Sequence, residues 1–211
     1  MSKVYSLLMT LEGPMQSWGY RSRFDYRDTA LEPTRSGVIG LICAAMGVGR
    51  GEDISCFEKI RMGVRVDKKG RPERDYQTAI EVIKADKSGT DTVVSYRDYL
   101  ADAMFTVGLQ SDDENFLNEI AAALRSPVWP LFLGRKAFPL SAPPVGQHSK
   151  AEPGSLEKHL LTGNTNKRVV LEPIDRANGE RTQNDWPLSF AQRRFKHRSI
   201  QVLFDHKGAG E

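Results

Sequence analysis

Residues 99–124, YLADAMFTVGLQSDDENFLNEIAAAL, decide the fold. The first part, residues 99–109, carries Met104, Phe105 and Val107 and reads as a strand. Ser111-Asp112-Asp113-Glu114 has the form of a capping box, with Ser111 at the cap and Glu114 at the third helical position. Behind it Phe116, Ile120 and Leu124, joined by Leu117 and Ala121, recur at helical spacing on one face. The helix must stop before Pro127, and residues 128–133 resume as a strand.

Upstream the same alternation continues. Residues 4–11 form an apolar β run that ends at Glu12-Gly13-Pro14. Thr34 or Ser36 caps a helix reaching about Met46, with Val38, Ile39, Leu41, Ile42 and Ala45 as a broad apolar stripe and Gly47 and Gly49 as its stop. Residues 60–66 alternate, with Met62, Val64 and Val66 on one side and Arg61, Gly63 and Arg65 on the other. Between this strand and residues 99–109 lie two short β-like pieces, 76–83 and 90–95, broken by Lys87-Ser88-Gly89. They read as a protruding hairpin.

The order β-α-β-β-α-β, with a hairpin inserted at about residues 68–95, predicts an α+β fold: a ferredoxin-like, RNA-recognition-like palm over residues 1–145 with a β-hairpin thumb. Residues 146–211 are expected as a C-terminal extension packed on the palm, with strands at 169–172 and 199–204. This fold serves many chemistries, so it argues class and not function.

The 211 residues are 39% apolar and 27% charged, ordinary for a chain with a core. No run approaches 18 apolar residues, and residues 1–12 lack the form of a signal peptide. Cys43 and Cys56 cannot build a disulfide framework or a four-cysteine zinc site. The chain therefore reads as intracellular and cytoplasmic. His148, His159, His197 and His206 share no ligand spacing, and no metal or cofactor is expected. Gly47-Val48-Gly49-Arg50-Gly51 imitates a phosphate loop, but it follows a helix and lacks the Lys-Ser/Thr ending, so it reads as a helix stop.

Net charge is +3, and the distribution is more telling than the sum. Between Arg181 and Lys207 six cations face two carboxylates, including Arg193-Arg194-Phe195-Lys196-His197-Arg198. A second group is Arg21, Arg23, Arg27 and Arg35. Such runs are either solvated faces or phosphate-binding surfaces. Trp18, Tyr20, Tyr26, Tyr76 and Tyr99 could stack unpaired bases, or could be core and rim residues. His197 between Lys196 and Arg198, or His148 with Lys150 and Tyr99, could serve a metal-independent ribonuclease.

Three stretches carry a family resemblance: Leu11-Glu12-Gly13-Pro14-Met15-Gln16-Ser17-Trp18-Gly19, Pro33-Thr34-Arg35-Ser36-Gly37-Val38-Ile39-Gly40-Leu41, and Leu133-Gly134-Arg135-Lys136-Ala137-Phe138-Pro139 with Ser141-Ala142-Pro143-Pro144. Asp75-Tyr76-Gln77-Thr78 fits as well. Together they resemble the Cas-five family of CRISPR Cascade subunits in its type I-E form, over about residues 1–145. The resemblance implies a non-catalytic scaffold that grips the 5′ handle of the mature CRISPR RNA and caps the assembly. Its implied partners are CRISPR RNA, the backbone, large and endonuclease subunits, and target DNA through the complex. Type I-C relatives are endoribonucleases that cut repeat RNA, and this is the alternative.

The expected RNA-binding residues are Gln16, Trp18, Arg35, Ser36, Arg135 and Lys136, all from loops or helix starts at the ends of palm strands, with Tyr76 on the thumb. Arg35-Ser36 pairs a guanidinium and a hydroxyl with a helix N-terminus, which suits a phosphate. Arg193, Arg194, Lys196 and Arg198 are assigned to sequence-tolerant phosphate contact, with no catalytic residue among them.

Overall fold

Leu7, Met9 and Leu11 alternate along the first strand, and all three are buried. Met62 and Val64 do the same on a second strand, and Phe105, Val107 and Leu109 on a third. These residues form the apolar floor on which the helices sit. The computed structural model describes residues 3–22, 25–161 and 166–204. In chain order the elements are β1 (Tyr5–Gln16), β2 (Tyr26–Arg27), α1 (Arg35–Met46), β3 (Arg61–Lys68), β4 (Arg71–Ile83) and β5 (Thr90–Ser111). Then follow α2 (Glu114–Arg125), β6 (Glu152–Pro153), α3 (Leu156–Leu160), β7 (Arg168–Leu171), β8 (Arg181–Ser189) and β9 (Arg194–Phe204). The architecture is mixed α/β, dominated by a mostly antiparallel sheet of order β6-β1-β5-β3-β7-β9-β8. Among the described residues no helix is long and apolar enough to cross a membrane.

β5 is the axis of the molecule. Its C-terminal half lies between β1 and β3, and Val107 pairs with both Met9 and Val64. Its N-terminal half leaves the palm and pairs with β4 from Arg71↔Ala101 to Ile83↔Thr90. Asp102, at φ 55°, marks the departure. The expected hairpin is thus present, longer than its two short pieces suggested, and β4 is exposed along nearly its whole length. α1 carries the chain from β1 to β3, and α2 follows β5; both pack on the same face of the sheet. Thr34 caps α1 by accepting from the Gly37 N–H, and Gly47 ends it at φ 75°.

Three expectations are corrected. The cap of α2 is Asp113, whose carboxylate accepts from the Phe116 N–H at 3.0 Å; Ser111 instead accepts from the Asp113 N–H at 3.1 Å. Residues 128–133 are not a strand, and the bridge Phe132↔Pro139 stands alone there. The chain runs along the free edge of β1 all the same. The Ser17 N–H donates to Leu133 O, the Ser141 N–H to Glu12 O and the Thr10 N–H to Pro144 O before β6 pairs with Tyr5 and Ser6. Pro139, Pro143, Pro144 and Pro153 have no N–H to give, so a regular ladder cannot form on this edge. Thirdly, much of the C-terminal part extends the sheet instead of lying on it: β7, β9 and β8 continue from β3. β8, with Pro187 and a polar first half, carried no strand pattern in the sequence.

α3 covers the opposite face. Leu156 and Leu160 pack there with Val169 and Leu171. Gly63 and Gly108 face each other across β3 and β5, and a Cβ on either would lie 2.7 Å from a leucine of α3. The helix sits in a slot that two absent side chains create. Gly108→Val is expected to cost about 1–3 kcal/mol through overpacking. Urea unfolding measures this; an unchanged midpoint would mean that α3 lifts away freely.

Candidate RNA-binding surface

The end of β1 and the loop after it build the floor of the site from inside. Gln16 is fully buried, and its amide donates to Leu11 O at 3.2 Å and Ala103 O at 2.8 Å while accepting from Trp18 Nε1 at 3.1 Å. Trp18 is 1% exposed and lies against Gly37 in the first turn of α1. Both are interior, contrary to expectation, although Trp18 backs the cleft described below. Every polar atom of the Gln16 amide is spent on satisfying buried groups, which is costly to leave undone.

Arg35 is also interior. Its guanidinium donates to Glu172 at 2.8 Å and to Phe57 O at 2.8 Å, and it lies 3.6 Å from the centre of the Trp186 ring. Its backbone N–H donates to Asp185 Oδ2 at 2.8 Å. Asp185, with 0% exposure, binds Arg198 through two parallel bonds of 2.8 and 2.7 Å. Glu172 also accepts from the Met62 N–H at 3.1 Å. Arg35 and Arg198 are thus removed from the expected RNA contacts. Both are neutralised by carboxylates that arrive more than a hundred residues away from α1 in sequence, and the four charges tie α1, β8 and β9 to the residue that follows β7.

Ser36 and Arg135 do meet. They line a cleft of about 500 Å³ with Ser17, Gly19, Ser22, Arg27, Thr34, Arg50, Arg97, Phe190 and Phe195 among its walls. Four arginines, Arg27, Arg50, Arg97 and Arg135, converge from four elements, with Asp28 on the rim. Arg135 is half-buried and donates to Asp98 O at 2.8 Å. Burial pulls its pKa below the ordinary value, and the neighbouring Arg97 adds to this. Crowded guanidiniums remain charged at neutral pH, so the cleft favours an anion. Gly134, at φ 88°, lets the loop cross Ser17: a Cβ there would fall 1.7 Å from Ser17 O. Lys136 is exposed and lines the adjoining groove.

Asp98 joins the cleft to the thumb. Its carboxylate accepts from Arg74 Nε at 2.7 Å and from the Tyr26 hydroxyl. Arg74 holds its pKa below the carboxylate range, with Tyr26 assisting against burial. Tyr76 is 58% exposed on the thumb and meets Tyr96 edge-on at 5.6 Å. Ile80, Val82, Ile83 and Val93 are exposed beyond it.

The C-terminal cations divide. Arg193 and Arg194 are exposed at the tip of the β8–β9 hairpin. Lys196 Nζ lies over the Trp186 ring, 4.6 Å from its centre. His197 is exposed, while Lys196 is held at Trp186 and Arg198 at Asp185. Arg23 and Lys207 lie outside the described residues. Among the described residues no group of three or more His, Cys, Asp or Glu could hold a metal. Burial pushes the Cys43 thiol up to about 12.

Arg27 belonged to a charge cluster legible in the sequence. Arg50 was hidden in a glycine-rich helix stop, and Arg97 among alternating strand residues. No local pattern links them, because the fold alone brings them together.

The model of the family described as CRISPR-associated protein (Cas_Cas5) matches residues 6–203. The chain is 33% identical over 153 residues to "CRISPR system Cascade subunit CasD" of Escherichia coli (strain K12), covering 65% of this chain and 68% of the relative. A solved structure titled "CRISPR RNA-guided surveillance complex" superposes with a TM-score of 0.80 at 32% identity, covering 94% of this chain and 89% of that one. Another, titled "Crystal structure of Cas protein", gives 0.74 at 38% identity, covering 96% and 95%. With the family match spanning the sheet from β1 to β9, the chain belongs to the Cas5 family of CRISPR-associated proteins.

Proposed function

We propose that this chain is a subunit of a type I-E Cascade surveillance complex that grips the 5′ handle of the mature CRISPR RNA, caps one end of the assembly and does not cut the RNA. The observation that carries this reading is the four-arginine cleft at the root of the thumb. Phosphates need dispersed cations, and Arg27, Arg50, Arg97 and Arg135 supply them where β2, the turn after α1, the thumb strand and the edge segment meet. Likeness to a relative named as a Cascade subunit supports the setting. The palm is read as a ferredoxin-like unit, since β5, α2 and β6 form a split crossover around β1. Its fourth strand is reduced to an irregular segment and β6. In this setting the partners are CRISPR RNA, the backbone, large and endonuclease subunits and, through the complex, target DNA, all in the cytoplasm.

Binding without cleavage fits the C-terminal geometry. A base and an electrophilic cation must face one phosphate. Here Lys196 is turned to Trp186 and Arg198 to Asp185, while His197 faces solvent. No observation favours the endoribonuclease reading over this one.

The test is handle-RNA affinity measured against salt. Arg50→Ala and Arg97→Ala are each expected to lower the slope of log K against log salt by about 0.7, the value for one phosphate of a single strand. Unchanged slopes in both would remove the cleft from RNA binding. Incubation with repeat RNA in EDTA tests cleavage, and specific products that vanish in His197→Ala would promote the nuclease alternative.

A further inference from the structure

We propose that the apolar groove beside the arginine cleft takes one nucleobase of the bound RNA, turned out of its stack, while the adjacent phosphates stay on Arg50 and Arg135. This rests on the RNA-binding reading above and names what that site selects. The cleft and the groove form one depression, since Ser36, Gly37, Arg50, Gly134 and Phe190 line both. On one side stand the arginines. On the other, Leu41, Val48, Trp129, Pro130 and Phe132 enclose about 840 Å³, enough to bury a small ring system. A nucleotide has the same division, an anionic backbone joined to a base with apolar faces.

The walls are held in place before any ligand arrives. Trp129 is 44% exposed, yet its backbone is fixed, for the Val128 and Trp129 N–H groups donate to Ala45 O at 3.0 Å and Ala44 O at 3.1 Å. These bonds also satisfy carbonyls at the C-terminal end of α1. On the facing side the Ala191 N–H donates to Arg50 O at 3.0 Å, which pins the hairpin tip that carries Phe190. The ring of Phe190 reaches to within 3.7 Å of where a Cβ on Gly40 would stand. Exposed aromatics on fixed backbone are what base stacking uses. An apolar side chain of a protein partner could fill the groove, but it would leave the continuous arginine wall without a counterpart.

The test uses the assembled complex, carrying CRISPR RNA in which 2-aminopurine replaces one handle position at a time. One position is expected to be quenched in the wild type and to brighten several-fold in Trp129→Ala, with about a tenfold loss of RNA affinity that Trp129→Phe restores. Phe190→Leu should brighten the same position. If no position responds and affinity holds, the base assignment falls while RNA binding at the arginines stands. Loss of a protein subunit from Trp129→Ala complexes, with RNA binding by the isolated chain unaltered, would give the groove to a protein and also overturn the proposal. Failure of the RNA reading itself shows separately, as unchanged salt slopes in Arg50→Ala and Arg97→Ala.

Discussion

Asp185→Ala is expected to destabilise the protein by about 3–5 kcal/mol, because it strands a buried charge. Arg198 is 4% exposed and would lose both bonds to Asp185, keeping only Glu172 at 3.5 Å. The first N–H of α1 would lose its acceptor, and so would the Gln183 amide. A fall of about 10 °C in Tm is the corresponding signal for a chain of this size. The same logic predicts that Asp185→Leu combined with Arg198→Met recovers part of the loss, since it removes the stranded charge and leaves only the Arg35 N–H and the Gln183 amide without their acceptor. A drop below about 1 kcal/mol in Asp185→Ala would show that water reaches Arg198 and that the network is not dry.

Removing the outer thumb is expected to abolish assembly while leaving the palm folded. Replacing residues 78–94 with a short Gly/Ser turn keeps Tyr76 against Tyr96 and leaves Arg74 on Asp98. It deletes Ile80, Val82, Ile83 and Val93, all exposed in the isolated chain and absent from the main core. A hairpin with an open edge and apolar tips contributes little to its own fold and much to a partner's surface. Thermal unfolding should therefore remain cooperative with a nearly unchanged midpoint, and co-purification with the other subunits should fail. Normal assembly would place the essential contacts on the palm. Loss of the cooperative transition would make the hairpin part of the core.

The sequence by itself determined the parts of this protein that local patterns encode. The 3.6 period of Phe116, Ile120 and Leu124 required α2, and the alternation around Met62 and Val64 required β3. Thr34 and Gly47 bounded α1 because capping is a matter of a few adjacent residues. Three local stretches sufficed for the family resemblance. They did not disclose that two of their most distinctive residues, Gln16 and Trp18, face inward, because a motif can record a packing constraint as readily as a contact.

What only the tertiary structure decided depends on pairs far apart in the chain. Arg35 looked like a phosphate ligand at a helix start, but Glu172, just past β7, and Asp185, on β8, arrive to neutralise it. A charge is free or spent according to what lies beside it in space, and no window around Arg35 contains those carboxylates. The arginine cleft follows the same rule with the opposite result, since Arg50 and Arg97 are unremarkable in sequence and become a site only by converging with Arg27 and Arg135. The edge along β1 was settled by what prolines cannot donate, and the slot for α3 by two glycines that meet only when β3 and β5 pair. Local periodicity fixes which elements exist; long-range pairing fixes which of their side chains remain available for function.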